Sequence, residues 1–374
     1  MATYRYLFFD FATRRLIDAL PMDDVTYNWE LRGIGTVTGK IPLFADELPA
    51  ARVLEATHPY RTKIFVERDG GLVWGGWIHQ KPSYSSDEGV LTVNAEESLG
   101  YFARRNLPTL RFDGVDQLAI ARAFLATLQA EPGGDMWIST DPSQLSGRLR
   151  DRGYFAFDQS AALTALTQLS EVIDGFEFAS QVAWNGAVPL ESLVFGYPRL
   201  GRSGSSSGLV FEFDRFSGSG GNVDSYTWDD AGVPMSTRTW ASSETEEGVQ
   251  LTAHTDRPDL VAAGYPVMEY GETYDGIVNV STLQEHSDAL AEFRSGPRTV
   301  AQFTLVAGAG INIGDFTMGD DVLVRLSDWR FPPDPATGAP GFVGYLRITA
   351  CAVAPGVDGA ERLTFTCSDF LSAL

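Results

Sequence analysis

Alternating apolar and polar positions, interrupted by turn residues, run through the first part of the chain. Residues 4–11 are apolar and aromatic, residues 10–15 resemble a turn, and residues 16–19 precede a proline, which predicts a β-hairpin. Apolar spacing over residues 46–56 predicts one short helix that stops at His58-Pro59. Short turns between strands favour an antiparallel, barrel-like domain. Further strands are predicted at 27–31, 36–43, 62–68, 72–80 and 89–95.

Helical spacing replaces strand alternation in the middle of the chain. The first predicted helix has five apolar residues on one face, and Asp158 or Ser160 is the predicted cap of the second. The Gly/Ser-rich stretches that follow predict flexible linkers and a domain boundary. The helices are predicted at 115–129 and 158–173, the strands at 176–184 and 190–197, and the linkers at 201–208 and 217–222.

Strands return toward the end of the chain, separated by one more helix. The helix is predicted around residues 282–294. Strand candidates lie at 236–241, 248–254, 300–306, 321–326, 344–353 and 362–367.

These elements together predict a β-rich α+β protein with several domains. Two barrel-like ends, residues 1–106 and 296–374, flank two inserted domains. The first inserted domain, residues 107–200, is α+β, and the second, residues 201–295, is acidic and β-rich with one helix.

Acidic residues outnumber basic ones, and one segment holds most of the excess. The 374 residues include 49 Asp and Glu against 28 Lys and Arg, a net charge of −21, and residues 212–292 contribute 16 acids and three bases. A protein that binds nucleic acid by neutralising phosphates needs a basic surplus. The composition therefore argues against sequence-specific nucleic-acid binding.

Cysteine content and hydropathy limit the cellular environments in which the protein is expected. No apolar run approaches the roughly 20 residues of a membrane helix, and the chain start lacks a signal-peptide pattern. Cys351 and Cys367 are too few for a disulfide scaffold and lack the spacing of zinc ligands. We therefore expect a globular protein without a membrane span that is made in a reducing cytosol.

Three glycine-containing motifs resemble ligand or catalytic loops, and each departs from the required pattern. Residues 204–208 match the spacing of a hydrolase nucleophile elbow, but no strand and helix flank them. Residues 35–40 have too few residues between the glycines for a phosphate loop, and Ile41 replaces the magnesium-binding hydroxyl residue. Gly308, Gly310 and Gly314 miss the dinucleotide spacing and are interpreted as turn glycines.

The four histidines offer little metal or acid–base chemistry. His254 and Asp256 supply at most two ligands, and spacing reveals no third. His58 precedes a proline, and His286 lies on the polar side of a predicted helix, so both are predicted on the surface.

Paired acids and two tryptophans are the remaining candidates for a site. The pairs Asp229-Asp230, Glu246-Glu247 and Asp320-Asp321 are interpreted as solvated, because adjacent residues on a strand point to opposite faces. Trp74 and Trp77 flank Gly75-Gly76 and are interpreted as core residues beside a bulge or a close backbone contact. The alternative is a cell-wall glycan-binding or glycan-hydrolysing β protein that uses them. We predict no enzyme and no catalytic, cofactor-binding or metal-binding residues.

Several stretches resemble one known family. They are YRYLFFDFATRRLIDALPM, WELRGIGTVTGKIPL, VLEATHPYRTKIFVERDGGLVWGGWI and LTVNAEESLGYFARR near the start, and IGDFTMGDDVLVRL and GYLRITACAVAPGVDGAERLTFT near the end. These turn-and-strand patterns resemble minor tail proteins of long-tailed bacteriophages, particularly those of actinobacteria, and more broadly baseplate-hub proteins. Residues 107–295 are similar only in the order of their elements.

The resemblance implies a structural role at the tail tip of a virion assembled in the host cytoplasm. Two barrel-like hub domains per chain would give a homotrimer six similar surfaces, which match a sixfold tail ring. The implied partners are the distal tail protein ring, the tape-measure protein, and other minor tail or receptor-binding proteins. The implied hub connects the distal ring to fibres or receptor-binding proteins and gates DNA passage, without a cofactor.

Overall fold

A computed structural model describes residues 2–369 except 44–48, 173, 218–219, 230–234, 245–247, 275–276, 297–298, 307 and 357–359. Four sheets and five α-helices in this part of the chain confirm the predicted β-rich α+β class with several folded units.

The first elements reproduce the predicted run of strands with one helix. The hairpin closes through a turn in which the backbone N–H of Asp10 donates to the carbonyl of Arg15, and Arg14 has a φ of 58°. The elements are β1 (Tyr4–Asp10), β2 (Leu16–Leu20), β3 (Asp23–Glu30), β4 (Thr36–Pro42), α1 (Ala50–Ala56), β5 (Thr62–Arg68), β6 (Gly71–Trp77), β7 (Ser83–Ser85) and β8 (Val90–Glu96).

Both predicted middle helices form, but one predicted cap is wrong. Asp116 caps the first helix by accepting a hydrogen bond from the N–H of Leu118. The second helix has Ala161 as its N-cap, without a side-chain cap, and begins after Gln159 turns the chain in the left-handed region. The elements are β9 (Leu110–Asp116), α2 (Gln117–Gln129), β10 (Ile138–Ser139), β11 (Leu149–Tyr154), α3 (Ala162–Ser170), β12 (Glu177–Asn185) and β13 (Val188–Gly196).

The rest of the chain adds strands that alternation did not predict. Two of them, a strand within residues 210–214 and one within 225–229, follow the two predicted linkers, at positions where no strand was predicted. The elements are β14 (Val210–Asp214), β15 (Ser225–Asp229), β16 (Arg238–Glu244), β17 (Gln250–Asp256), α4 (Pro258–Ala262), β18 (Glu269–Thr273), α5 (Val280–Phe293), β19 (Val300–Val306), β20 (Asp321–Ser327), β21 (Phe342–Ala354) and β22 (Arg362–Ser368).

Strands from both ends of the chain belong to one 14-stranded sheet, here called the main sheet. Its order is β15-β19-β22-β21-β3-β4-β8-β6-β5-β1-β2, with β20 paired to β21, β14 paired to β20, and β7 paired to β8. The two ends meet where β21 pairs antiparallel with β3, so that Cys351 lies opposite Trp29. One core, which includes Phe8, Trp74 and Phe365, lies beneath strands of both ends.

Two smaller units are built onto the main sheet, each with its own core. The middle module, residues 107–200, packs α2 and α3 with the sheet β10-β13-β12 and the pair β9-β11. The acidic module, residues 235–296, packs α5 on the sheet β17-β16-β18. The four domain intervals predicted from the sequence remain a prediction.

The flexible linker predicted at residues 201–208 is wrong. Gly204–Ser207 forms a 3₁₀ turn, and the N–H of Gly204 donates to the carboxylate of Asp321 at 2.6 Å. Tertiary hydrogen bonds therefore order a stretch that composition alone marks as flexible. In the second predicted linker, residues 218–219 lie outside the described residues, and Gly221 bridges to Phe213.

Candidate functional site

The two tryptophans considered for glycan stacking lie in the core, as their interpretation as core residues predicted. Trp74 is 1 % exposed and Trp77 is 7 % exposed, and the indole N–H of Trp74 donates to the carbonyl of Asn28. A side chain at Gly76 would place its Cβ 2.1 Å from the carbonyl oxygen of Glu96, which confirms the predicted close backbone contact. These two rings have no free face for a sugar.

The solvated interpretation of Asp320-Asp321 is wrong. Both residues are buried, and Arg199 donates two hydrogen bonds to Asp321, at 2.6 and 3.2 Å. Burial opposes ionisation of Asp320, but hydrogen bonds from Arg202 and from the N–H of Thr317 outweigh it and lower the pKa of Asp320.

Of the other two acid pairs, only Asp229 lies within the described residues. Asp229 is exposed at the end of β15, as predicted. Its neighbour Asp230 and the pair Glu246-Glu247 lie outside the described residues.

The histidines divide between the surface and the interior. His254 and Asp256 lie on one face of β17 with 3.7 Å between Nε2 and Oδ2. Within the described ranges, no group of three or more His, Cys, Asp or Glu residues is arranged to hold a metal ion. His58 is exposed, as predicted.

The surface prediction for His286 is wrong. This residue is 2 % exposed, and its ring packs 4.0 Å from that of Tyr274. Burial, followed by the charges of Arg152 and Arg150, lowers the pKa of His286 to about 2. The side of α5 that looks polar in sequence meets arginines of β11 instead of solvent.

The glycines of the sequence motifs have structural roles in strands and turns. Gly35 donates its N–H to the carboxylate of Glu97 at 2.8 Å, and residues 36–40 lie within β4. Gly308, Gly310 and Gly314 have φ angles of 89°, 99° and 103°, which confirms that they are turn glycines.

Buried ion pairs fasten the middle module to the main sheet. Arg347 of β21 donates to Glu177 of β12, with 2.5 Å between Nη1 and Oε1, and both side chains are at most 3 % exposed. The same guanidinium donates to the carbonyls of Gly319 and Leu200. Charge and hydrogen bonding are both satisfied at this contact, which is the condition for a buried pair to hold one geometry.

A second buried pair joins strand β5 of the main sheet to strand β13 of the middle module. Lys63 of β5 is fully buried, forms an ion pair with Glu191 of β13, and donates to the carbonyl of Met136 at 2.6 Å. Burial lowers the pKa of Lys63, and Glu191 opposes that shift. Its ammonium also lies 4.6 Å from the centre of the Trp137 ring.

A third contact joins the two chain ends directly. Arg68 of β5 donates to both carboxylate oxygens of Glu361, at 2.6 and 2.9 Å, and the Tyr4 hydroxyl donates to the same carboxylate at 2.5 Å. Burial alone would raise the pKa of Glu361, but these hydrogen bonds outweigh burial and lower it.

Sequence reasoning missed all of these pairs. The available signal was a single charged residue inside an otherwise apolar strand, as with Lys63 in TKIFVER and Arg347 in YLRITA. Such residues are rarely buried without a partner. Which strand supplies the partner depends on the topology, which the signal does not contain.

Two further findings bear on chemistry. Cys351 and Cys367 are free, buried thiols on neighbouring strands, and burial raises the pKa of both. Among the helices of the described chain, none has the length and apolar character to cross a membrane.

Whole-length structural matches link this fold to phage tail proteins. No protein-family model matches the chain, and no curated protein matches it in sequence. The tail protein of Neisseria meningitidis MC58 matches with a TM-score of 0.60 at 13 % identity, covering 99 % of this chain and 98 % of its own. The 43 kDa tail protein of prophage MuSo2 from Shewanella oneidensis matches with a TM-score of 0.57 at 9 % identity, covering 97 % of each chain.

A prophage tail protein of Listeria monocytogenes gives a TM-score of 0.51 at 12 % identity, covering 97 % of this chain and 94 % of its own. The chain therefore has the fold of phage tail proteins from end to end, as the sequence resemblance predicted.

Proposed function

We propose that this protein is a structural tail-tip hub of a long-tailed bacteriophage. Three copies form a ring that connects the distal tail protein ring to fibres or receptor-binding proteins, and the end of the tape-measure protein lies in or near its lumen. The observation that carries the proposal is the structural match that covers 99 % of this chain and 98 % of a tail protein.

The joined chain ends support a ring-forming role. Strands from residues 1–106 and 296–374 share one sheet and one core, and the Arg68–Glu361 contact ties them together. In the proposed ring, each copy with two strand-rich halves would present two similar surfaces, which would suit it to bridging threefold and sixfold symmetry.

The negative charge of the acidic module supports a role in DNA passage through the proposed hub. Residues 235–296 contain 11 acids and three bases. A surface of this sign facing the lumen repels phosphates and limits adhesion of the genome during passage. Neutralising substitutions between Glu244 and Glu272 are expected to slow DNA ejection at low salt, and unchanged ejection rates would remove this part of the proposal.

Mass measurement tests the proposal as a whole. Peptides of this protein are expected in purified virions, and native mass spectrometry of the recombinant protein is expected to show a trimer at high concentration. Absence from virions, or a protein that stays monomeric within assembled tails, would contradict the proposal. Release of sugars or peptides from host cell walls would instead favour the glycan-hydrolysing alternative.

A further inference from the structure

Within the described part of the chain, no helix or strand covers one face of the three-stranded sheet in the acidic module. Helix α5 covers the other face, where Thr239, Ala241 and Ser243 of β16 are buried. On the uncovered face, the alternate residues of β17 are all exposed. This uncovered face consists of Arg238, Trp240, Ser242, Glu244, Gln250, Thr252, His254, Asp256, Glu269, Gly271 and Thr273.

An aromatic pair lies at the centre of the uncovered face. Trp240 on the central strand is 37 % exposed, and its ring lies against that of His254, tilted by 31° with 4.7 Å between centroids. On the other side its cross-strand neighbour is Gly271, which has no side chain to cover the indole. The indole is therefore held by neighbours on one side and accessible on the other.

The charges around Trp240 are predominantly negative. Arg238 is held by two carboxylates, Asp256 at 2.5 Å and Glu269 at 2.9 Å, and Glu244 lies four residues beyond Trp240 on the same strand. One positive and three negative side chains leave this face at −2, within a module whose net charge is −8. The resulting potential attracts cations and repels anionic polymers.

We propose that the uncovered face docks a basic, arginine-rich segment of a partner protein. An arginine of the partner stacks on Trp240, because guanidinium groups favour indole faces, while its neighbours pair with the surrounding carboxylates. The inference rests on the proposed function, since it expects the partner to be another protein of the tail. It adds the surface and the charge by which that partner is recognised.

Fluorescence anisotropy with defined peptides tests this proposal on the full-length protein. The probes are labelled peptides of about ten residues that alternate serine with arginine, lysine or glutamate, measured at about 50 mM and about 300 mM salt. The arginine peptide is expected to bind more tightly than the lysine peptide, and the glutamate peptide is expected not to bind. Raising the salt is expected to weaken binding about tenfold.

Matched tryptophan variants locate the binding surface. Trp240→Ala is expected to weaken binding of the arginine peptide about fivefold, and Trp240→Phe is expected to retain most of the wild-type affinity. The control is Trp329→Ala, because Trp329 is 74 % exposed outside the acidic module and already stacks with Arg215 at 4.2 Å. Circular dichroism confirms that each variant is folded.

Three results would overturn the proposal. Equal loss in Trp240→Ala and Trp329→Ala would show that the attraction is general to an acidic protein. Binding of soluble peptidoglycan fragments that Trp240→Ala abolishes would assign the face to a glycan. Salt-sensitive self-association that the same variant abolishes would assign it to a second copy. Any of these results leaves the presence of the protein in virions, and hence the proposed hub role, to be judged separately.

Discussion

The guanidinium of Arg347 and the carboxylate of Glu177 form a buried ion pair between residues 170 positions apart in sequence. One lies on β21, the strand that unites the chain ends, and the other begins β12 in the middle module. The orientation of the middle module on the main sheet therefore depends on a contact that neither unit makes alone.

Breaking this pair is expected to destabilise the protein strongly. Arg347→Met leaves the Glu177 carboxylate buried without its cation and is expected to cost about 3–5 kcal/mol in the free energy of unfolding. The double variant Arg347→Met/Glu177→Leu is expected to recover most of that loss, because no unpaired charge remains. Urea denaturation of the three proteins measures both effects.

An exposed pair provides the control. Arg362 and Asp224 are separated by 3.4 Å with more than half of each side chain exposed. Arg362→Met is expected to leave the urea midpoint nearly unchanged. Equal losses from both methionine variants would contradict the view that the buried pair joins the two units.

Lys63 provides a second test with a matched residue of the same type. Lys63→Met leaves Glu191 buried and unpaired, so we expect a loss of about 3 kcal/mol in the free energy of unfolding. Lys40 keeps 38 % of its side chain exposed and pairs with the exposed carboxylates of Asp24 and Glu88. Lys40→Met is therefore expected to cause no measurable shift of the urea midpoint, and a comparable shift would contradict the account.

Glu97 makes stability depend on pH near neutrality. Burial raises the pKa of Glu97 from 4.5 to about 8, and the hydrogen bond from Gly35 opposes the shift only in part. The folded protein therefore holds a proton that the unfolded chain releases, so this stabilisation is complete below pH 4.5 and is lost as the pH rises toward 8.

The variant Glu97→Gln isolates this contribution. The stability of the wild type relative to the variant is expected to fall between pH 5 and 8 by up to about 1.4 kcal/mol per pH unit. Parallel curves for the two proteins would show that Glu97 is ionised in the folded state.

His286 changes the pH dependence of stability in the opposite direction, and at lower pH. Its pKa falls from 6.5 to about 2 on burial, so below pH 6.5 the unfolded chain binds a proton that the folded protein excludes. Stability is therefore expected to decrease as the pH falls from 6.5 toward 2. Neither ring nitrogen has a hydrogen-bond partner among the described residues.

His286→Leu is expected to remove this acid sensitivity at little cost at neutral pH, because no hydrogen bond is lost. His58→Gln, at an exposed position, is the control. An acid unfolding curve for His286→Leu that matches the wild type would contradict the buried, neutral state of His286.

Alternation and helical spacing predicted most elements because those patterns are local. The hairpin of β1 and β2 follows from residues 4–20, and α2 follows from the apolar face that ends at Leu128. Strand β14 escaped prediction because it pairs in parallel with β20, more than a hundred residues away. Local sequence does not contain that partner.

The same limit applies to charged residues. Asp320, Asp321 and His286 look like surface residues in sequence, yet Arg202, Arg199 and the arginines of β11 meet them in the fold. The uncovered face around Trp240 was missed for a related reason. Only the strand register shows that Trp240, His254 and Asp256 share one surface.

Reconstruction of whole virions without imposed symmetry tests the central claim most directly. We predict three copies of this fold in one ring at the tail tip, in contact with the distal tail ring, with strands of both chain ends forming the ring wall. A sixfold ring of this chain, a location away from the tail tip, or its absence from the particle would contradict the account.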